Sequence, residues 1–204
     1  SFMLIFLLPS CTQKSVQDVF DMLYDRLGPV VFRKTFRIIL TDNGPEFKDP
    51  GSIEMTANRK RRTRIFYCDP YKSNQKGRLE KSHEFIRYII PKGRSSSKLT
   101  AEDVRLMTCH INSVARDGLN GQTPFDLAEL LLSEKVLTSL GLRKVSPDDV
   151  ILKPAFSKNS SIHLTADRLD RTTESLDSGD ALSRIKFYTF PQLRLFVVVE
   201  GLYG

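Results

Sequence analysis

Short apolar runs open the chain and then give way to apolar positions at helical spacing. Phe2 to Leu8 is continuously apolar and closed by Pro9-Ser10, the pattern of a strand buried on both faces. From Thr12, apolar residues recur at Val16, Val19, Phe20, Leu23 and Leu27, which predicts a helix with Thr12 or Ser15 as its N-cap and Gly28-Pro29 as its end. Val30 to Thr35 would add a short second helical piece. Ile38-Ile39-Leu40 reads as a second buried strand, leaving through Thr41-Asp42-Asn43-Gly44, and the polar stretch Lys48 to Lys60 as a loop. Arg64 to Cys68 is a third strand. Ser73 to Gly77 is a turn before a helix from Arg78 to Ile90, which Pro91-Lys92-Gly93 closes. Ser95 to Ser97 is linker-like. Thr100 to Asp103 starts another helix, with Val104, Met107, Ile111 and Val114 as its apolar stripe. Thr123-Pro124-Phe125 opens a further one, to about Leu132, because proline suits the first helical position.

This order of strands and helices is that of an α/β domain. The character changes after Pro154. Ser157 to Asp180 is rich in Ser, Asn, Thr and Asp, and Phe187 to Leu202 is apolar with weak alternation. We therefore expect a core over 1–153 and an unrelated, poorly ordered tail over 154–204. No internal repeat is visible. The chain begins Ser1-Phe2-Met3, and a piece of something longer is the simplest expectation.

Charge changes the picture once it is located. Between Arg59 and Arg94 stand twelve Lys or Arg against three acids, a net of +9 in a chain of +7. A charge so concentrated points to a polyanion-facing surface; the blander reading is a basic solvated face. The run Met3 to Leu8 is far shorter than the roughly 20 residues a membrane helix needs, and lacks the flanks of a signal peptide. Three separated cysteines (Cys11, Cys68, Cys109) disfavour both a disulfide framework and a zinc ribbon, and fit a reducing cytoplasm.

Two carboxylates stand out. Asp42 follows an apolar strand, where open α/β sheets place their ligands, although Asp-Asn-Gly is also an ordinary Asx turn. Glu80 sits in the first turn of the 78–90 helix. Seven residues on, Arg87 returns to within about 20° of its direction, with Glu84 nearby. Leu79, Phe85, Ile86, Ile89 and Ile90 form a separate arc to pack on the sheet. A solvated charge cluster of Glu80, Glu84 and Arg87 explains the same stripe.

Together these blocks are distinctive. Asp42-Asn43-Gly44-x-Glu46-Phe47, then Pro70-Tyr71-x-Ser73-x-Gln75-x-Gly77-x-x-Glu80 with Arg87 beyond, resemble the DDE integrase core of the retroviral-integrase superfamily. Gln75 to Arg87, Ile90-Pro91-Lys92-Gly93 and Leu119-Asn120-Gly121-Gln122-Thr123-Pro124-Phe125 look like bacterial insertion-sequence transposases of the IS-thirty type. The match covers roughly 3–153. The resemblance implies a ribonuclease-H-like fold and metal-dependent phosphoryl transfer at DNA ends in DNA transposition. Asp42 and Glu80 would be the second and third catalytic carboxylates, holding Mg²⁺ or Mn²⁺. Arg59, Lys60, Arg61, Arg62, Tyr71, Ser73, Gln75, Lys76, Lys81 and Arg87 would line or grip the DNA. His83 is an orienting candidate; His110, beside Cys109, reads as packing, and His163 falls in the unmatched tail.

The resemblance has limits. The family's first Asp lies on an opening strand upstream of Met3, and its helix-turn-helix segments are also missing. The core is thus expected to be N-terminally incomplete, to bind the ion weakly and to be inactive alone. The alternatives are a non-catalytic DNA-binding or regulatory remnant that pairs with intact transposase, and a gene remnant. DNA would be the partner, a homo-oligomer the state of the full-length family, and the bacterial cytoplasm, at the nucleoid, the location.

Overall fold

A computed structural model describes residues 2–10, 12–41, 44–67, 84–90, 99–153, 186–190 and 195–201, the last two segments as backbone only. Strand β1 (Met3–Leu8) is apolar throughout because both its faces are covered. Leu4 and Leu8, with Phe2 just before the strand, join one hydrophobic cluster; Met3 and Ile5 join another.

The first face carries α1 (Gln13–Thr35). Its cap is Thr12, whose side chain accepts from the Ser15 backbone amide, so one of the two candidate caps fills the role. Val16, Val19, Phe20, Leu23 and Leu27 are buried as the periodicity predicts, each worth on the order of 2 kcal/mol. Gly28 breaks the helical geometry at φ 77°, which glycine alone adopts cheaply, and Pro29 restarts it. The two helical pieces expected from sequence are therefore halves of one kinked rod. The second half sinks Phe32 into the core against Tyr24 and Phe36.

β2 (Ile38–Thr41) and β3 (Arg64–Tyr67) run parallel, with Ile38 opposite Arg64 and Thr41 opposite Tyr67. Between them, where a loop was expected, lies the single-turn helix α2 (Pro50–Glu54), started by Asp49 accepting from the Gly51 amide. Its last residue, Glu54, guards the sheet edge: the side chain accepts from the Ile65 amide at 2.8 Å and the carbonyl from the Arg62 amide at 2.8 Å.

The second face holds α3 (residues 84–89) and α4 (Ala101–Asn112). Ile86, Ile89 and Ile90 meet Val104, Met107 and Ile111 over β1, the packing the apolar arc of the 78–90 segment predicts for its described part. A capping box of Thr100 and Asp103 starts α4. The helix ends at Asn112, so Val114 falls outside the expected stripe. Fully buried Asn112 imitates a neighbouring strand: Met3 N–H donates to its Oδ1 at 2.8 Å, and its Nδ2 donates to the Met3 carbonyl at 2.6 Å. α5 (Pro124–Leu131) and α6 (Glu134–Ser139) return to the first face through Phe125, Ala128, Val136 and Leu137.

Two further strands, β4 (Lys186–Phe190) and β5 (Leu195–Gly201), come from the segment expected to be a separate tail. The sheet order is β1-β5-β4-β2-β3. β5 runs parallel to β1, while β4 is antiparallel to both β5 and β2. The two segments on either side of residue 154 thus share one sheet. The described residues form a mixed α/β fold, and no described helix is long and apolar enough to cross a membrane.

Candidate functional site

Thr41 and Tyr67 end β2 and β3 side by side, so both strands leave the sheet at the same end. Beyond Thr41 the chain re-enters the described residues at Gly44, then turns through a 3₁₀ segment, Pro45–Phe47. Phe47 is fully buried, and its carbonyl accepts from the Tyr67 hydroxyl at 2.6 Å. Burial first, then the charges of Glu54 and Asp49, raise the Tyr67 phenol above its ordinary value, so it remains a donor at neutral pH. The Phe of the Asp-Asn-Gly-x-Glu-Phe block is thus a structural anchor that ties the exit of β2 to the exit of β3. Asp42, Tyr71, Ser73, Gln75, Lys76, Glu80, Lys81, His83 and His163 lie outside the described residues. Among the described residues no three His, Cys, Asp or Glu side chains gather where they could hold a metal ion.

The basic run at 59–62 is described in full and divides. A tight turn forms as the Thr56 and Lys60 backbones pair at 2.9 Å and Arg59 takes φ 55°, with an isolated bridge between Met55 and Arg61. Arg59, Lys60 and Arg61 emerge into solvent, Arg61 standing 3.9 Å from Glu54. Arg62 goes the other way and is 2% exposed. Its Nη1 contacts Asp21 at 2.5 Å and its Nε donates to the Ile53 carbonyl at 2.7 Å. The Tyr24 and Phe32 rings lie 5.7 and 5.9 Å from its guanidinium carbon. Arg62 therefore leaves the set of DNA-facing cations expected from sequence and joins the core: the turn inverts the chain so that this side chain points inward.

Arg87 on α3 is half-buried, and its Nη1 is enclosed with no hydrogen-bond partner among the described residues. Nearby Arg116, not singled out by sequence, lies 4.3 Å over the Phe85 ring, and burial lowers its pKa to about 10. Its Nε is enclosed and has no hydrogen-bond partner among the described residues. The Leu119-to-Phe125 block has a local explanation. Asn120 and Gly121 take left-handed conformations, at φ 55° and 77°, in a turn closed onto Arg116. Thr123 and Asp126 then form a capping box for α5, and Phe125 meets Phe2 edge-on at 5.1 Å. Lys144 and the Thr123 cap hold the Asp126 carboxyl down at about 2.

His110 is a packing residue, as its sequence setting suggests. Its Nδ1 accepts from the Ile151 amide at 3.0 Å, and burial lowers its pKa. Cys109 is buried, and burial raises its thiol. At the opposite end of the strand pair, where β2 and β3 begin, a cleft of about 740 Å³ opens between Arg33, Lys34 and Arg37 on one side and Arg61, Thr63, Arg64 and Phe66 on the other. Sequence reasoning missed the first three because they stand outside the basic window. Three cations within five residues at a helix end were the available signal.

Comparison with curated proteins places transposases beside this chain. It is 28% identical over 96 residues to the transposase for insertion sequence element IS4351 of Bacteroides fragilis, covering 47% of this chain and 28% of that protein. It is 30% identical over 69 residues to the transposase for insertion sequence element IS1086 of Cupriavidus metallidurans, covering 33% of this chain and 20% of that protein. The chain thus matches about a quarter of the length of these relatives. No family model matches it, and no solved structure does.

Proposed function

We propose that this chain acts in DNA transposition, as part of a DDE-type transposase core built on a ribonuclease-H-like sheet. Similarity to two insertion-sequence transposases supports the reaction class. The observation that carries the site is the shared exit of β2 and β3, pinned by the Tyr67–Phe47 hydrogen bond, with Asp42 next in sequence after β2. Ligands of open α/β sheets bind at such carboxyl ends.

In this reading Asp42 and Glu80 are the metal-holding carboxylates. Their oxygens suit a hard divalent cation such as Mg²⁺ or Mn²⁺, which would supply charge neutralisation at the reacting phosphate. Two carboxylates bind such an ion weakly, at one position. Arg59, Lys60 and Arg61 would neutralise DNA phosphates from their exposed turn, and Tyr71, Ser73, Gln75, Lys76, Lys81 and Arg87 would line the strand's path, with His83 orienting it. A homo-oligomer at the nucleoid completes the proposal.

Mn²⁺ titration of the full chain, followed by calorimetry, tests the site. The Asp42→Asn/Glu80→Gln double variant should lose binding while keeping its affinity for a 20-bp DNA duplex. Equal Mn²⁺ affinity in wild type and variant would overturn the assignment.

A further inference from the structure

We propose that the cleft near the amino ends of β2 and β3 is a DNA phosphodiester-backbone site. The proposal rests on the reading of this chain as DNA-acting and extends it from Arg61 to Arg33, Lys34, Arg37 and Arg64.

Five cations line the cleft with their side chains exposed: Arg33 and Lys34 from the last turn of α1, Arg37 between α1 and β2, Arg61 before β3, and Arg64 at its first position. No acidic residue lines it among the described residues. Among the described residues, Glu54, 3.9 Å from Arg61, is the acid within ion-pair reach, and it already accepts from the Ile65 amide. The sixth cation of the lining, Arg62, is spent on Asp21 below the surface. Cations in the last turn of a helix complement its dipole, but that dipole amounts to about half a charge and leaves most of this cluster uncompensated. Like charges gathered around one concavity raise its potential and favour a polyanion there.

The supporting geometry is rigid. Arg64 is held in the sheet by its amide, which donates to the Arg37 carbonyl at 3.2 Å, so the two walls of the cleft are directly joined. Thr63 Oγ1 donates to the Phe36 carbonyl at 2.6 Å, a second tie. The Arg33 guanidinium is set by its bond to the Pro29 carbonyl at 3.1 Å. Phe66 stands at the rim, 49% exposed, a ring on which a base can stack where the strand is unpaired. Ile38 and Thr41, the two ends of β2, lie about 10 Å apart along the strand, and Phe66 carries the cleft along β3 to the level of Leu40.

The test is the salt dependence of binding by the full chain to a fluorescent 20-bp duplex, a 20-nucleotide single strand and a 20-bp RNA duplex. In Arg37→Gln/Arg64→Gln, and separately in Arg33→Gln/Lys34→Gln, the slope of log affinity against log salt should fall by about two. Lys153→Gln, an exposed cation elsewhere, should leave it unchanged. Unchanged urea midpoints show that the double variants are folded. Phe66→Ala should weaken single-strand binding alone, and a loss on the duplex instead would overturn the placement of Phe66 at a backbone site. If wild type binds DNA and both double variants keep its slope, the cleft proposal fails while the transposase reading stands. If wild type has no DNA affinity at 50 mM salt, both fail. Tighter binding of the RNA duplex would overturn the assignment to DNA.

Discussion

Arg62 is the residue for which sequence and structure make opposite demands, and its removal separates them. In Arg62→Ala the buried Ile53 carbonyl loses a charge-assisted donor at 2.7 Å, a cost of about 1.5–3 kcal/mol. The stem also leaves a gap between the Tyr24 and Phe32 rings, and loss of the ring contacts adds about 1 kcal/mol. Asp21 adds little, because its side chain is 43% exposed and rehydrates when its partner goes. The sum is about 3 kcal/mol. With a urea m-value of about 2 kcal/mol/M, the unfolding midpoint should drop by about 1.5 M. Arg62→Met, which refills the volume, should recover roughly a third of that. Circular dichroism during urea titration provides the assay, with the salt slope of DNA binding measured alongside at a temperature where both variants are folded. A midpoint within about 0.3 M of wild type, together with a slope reduced by about one, would mean that Arg62 contacts phosphate and that its burial is misassigned.

Two other perturbations probe the frame. Asn112→Ala strands the Met3 N–H and carbonyl in the core, so a loss of about 2–4 kcal/mol is expected by urea unfolding; a loss under 1 kcal/mol would refute its role as a surrogate strand. His110 accepts from Ile151 and has a folded pKa below its ordinary 6.5, so it binds a proton less well folded than unfolded. Its contribution is therefore complete above pH 6.5 and declines as pH falls below that value. The urea midpoint should decrease between pH 6.5 and 5 in wild type and less so in His110→Gln, and identical pH profiles would contradict this.

Local signals were legible. Thr12, the Thr100–Asp103 pair and Thr123-Pro124 each mark a helix start because capping is decided within four residues, and Gly28-Pro29 announces the kink for the same reason. α2 and α6 escaped notice because five or six residues are too few to show a 3.6-residue period. The inward turn of Arg62 depends on Asp21, forty-one positions away, and the basic cleft on two segments the chain brings together only through β2 and β3. Such pairings leave no trace in composition or spacing. Of the candidate site, the anchoring role of Phe47 could have been suspected from its apolar character after a polar turn. Its hydrogen bond to Tyr67 could not.

The position of the last two strands sets a schedule for the ribosome. β1 and β2 are completed early, yet neither borders the other, because β5 and β4 stand between them. Residue 186 is made 145 residues after Thr41, on the order of ten seconds later at ordinary elongation rates. Throughout that interval the nascent chain carries the lone strand β1 and the β2–β3 pair, with their inner edges open. Those edges are templates for pairing with any neighbouring strand. Synthesis of this chain therefore passes through a long window of exposure to misassembly, which closes only once β4 and β5 have been made.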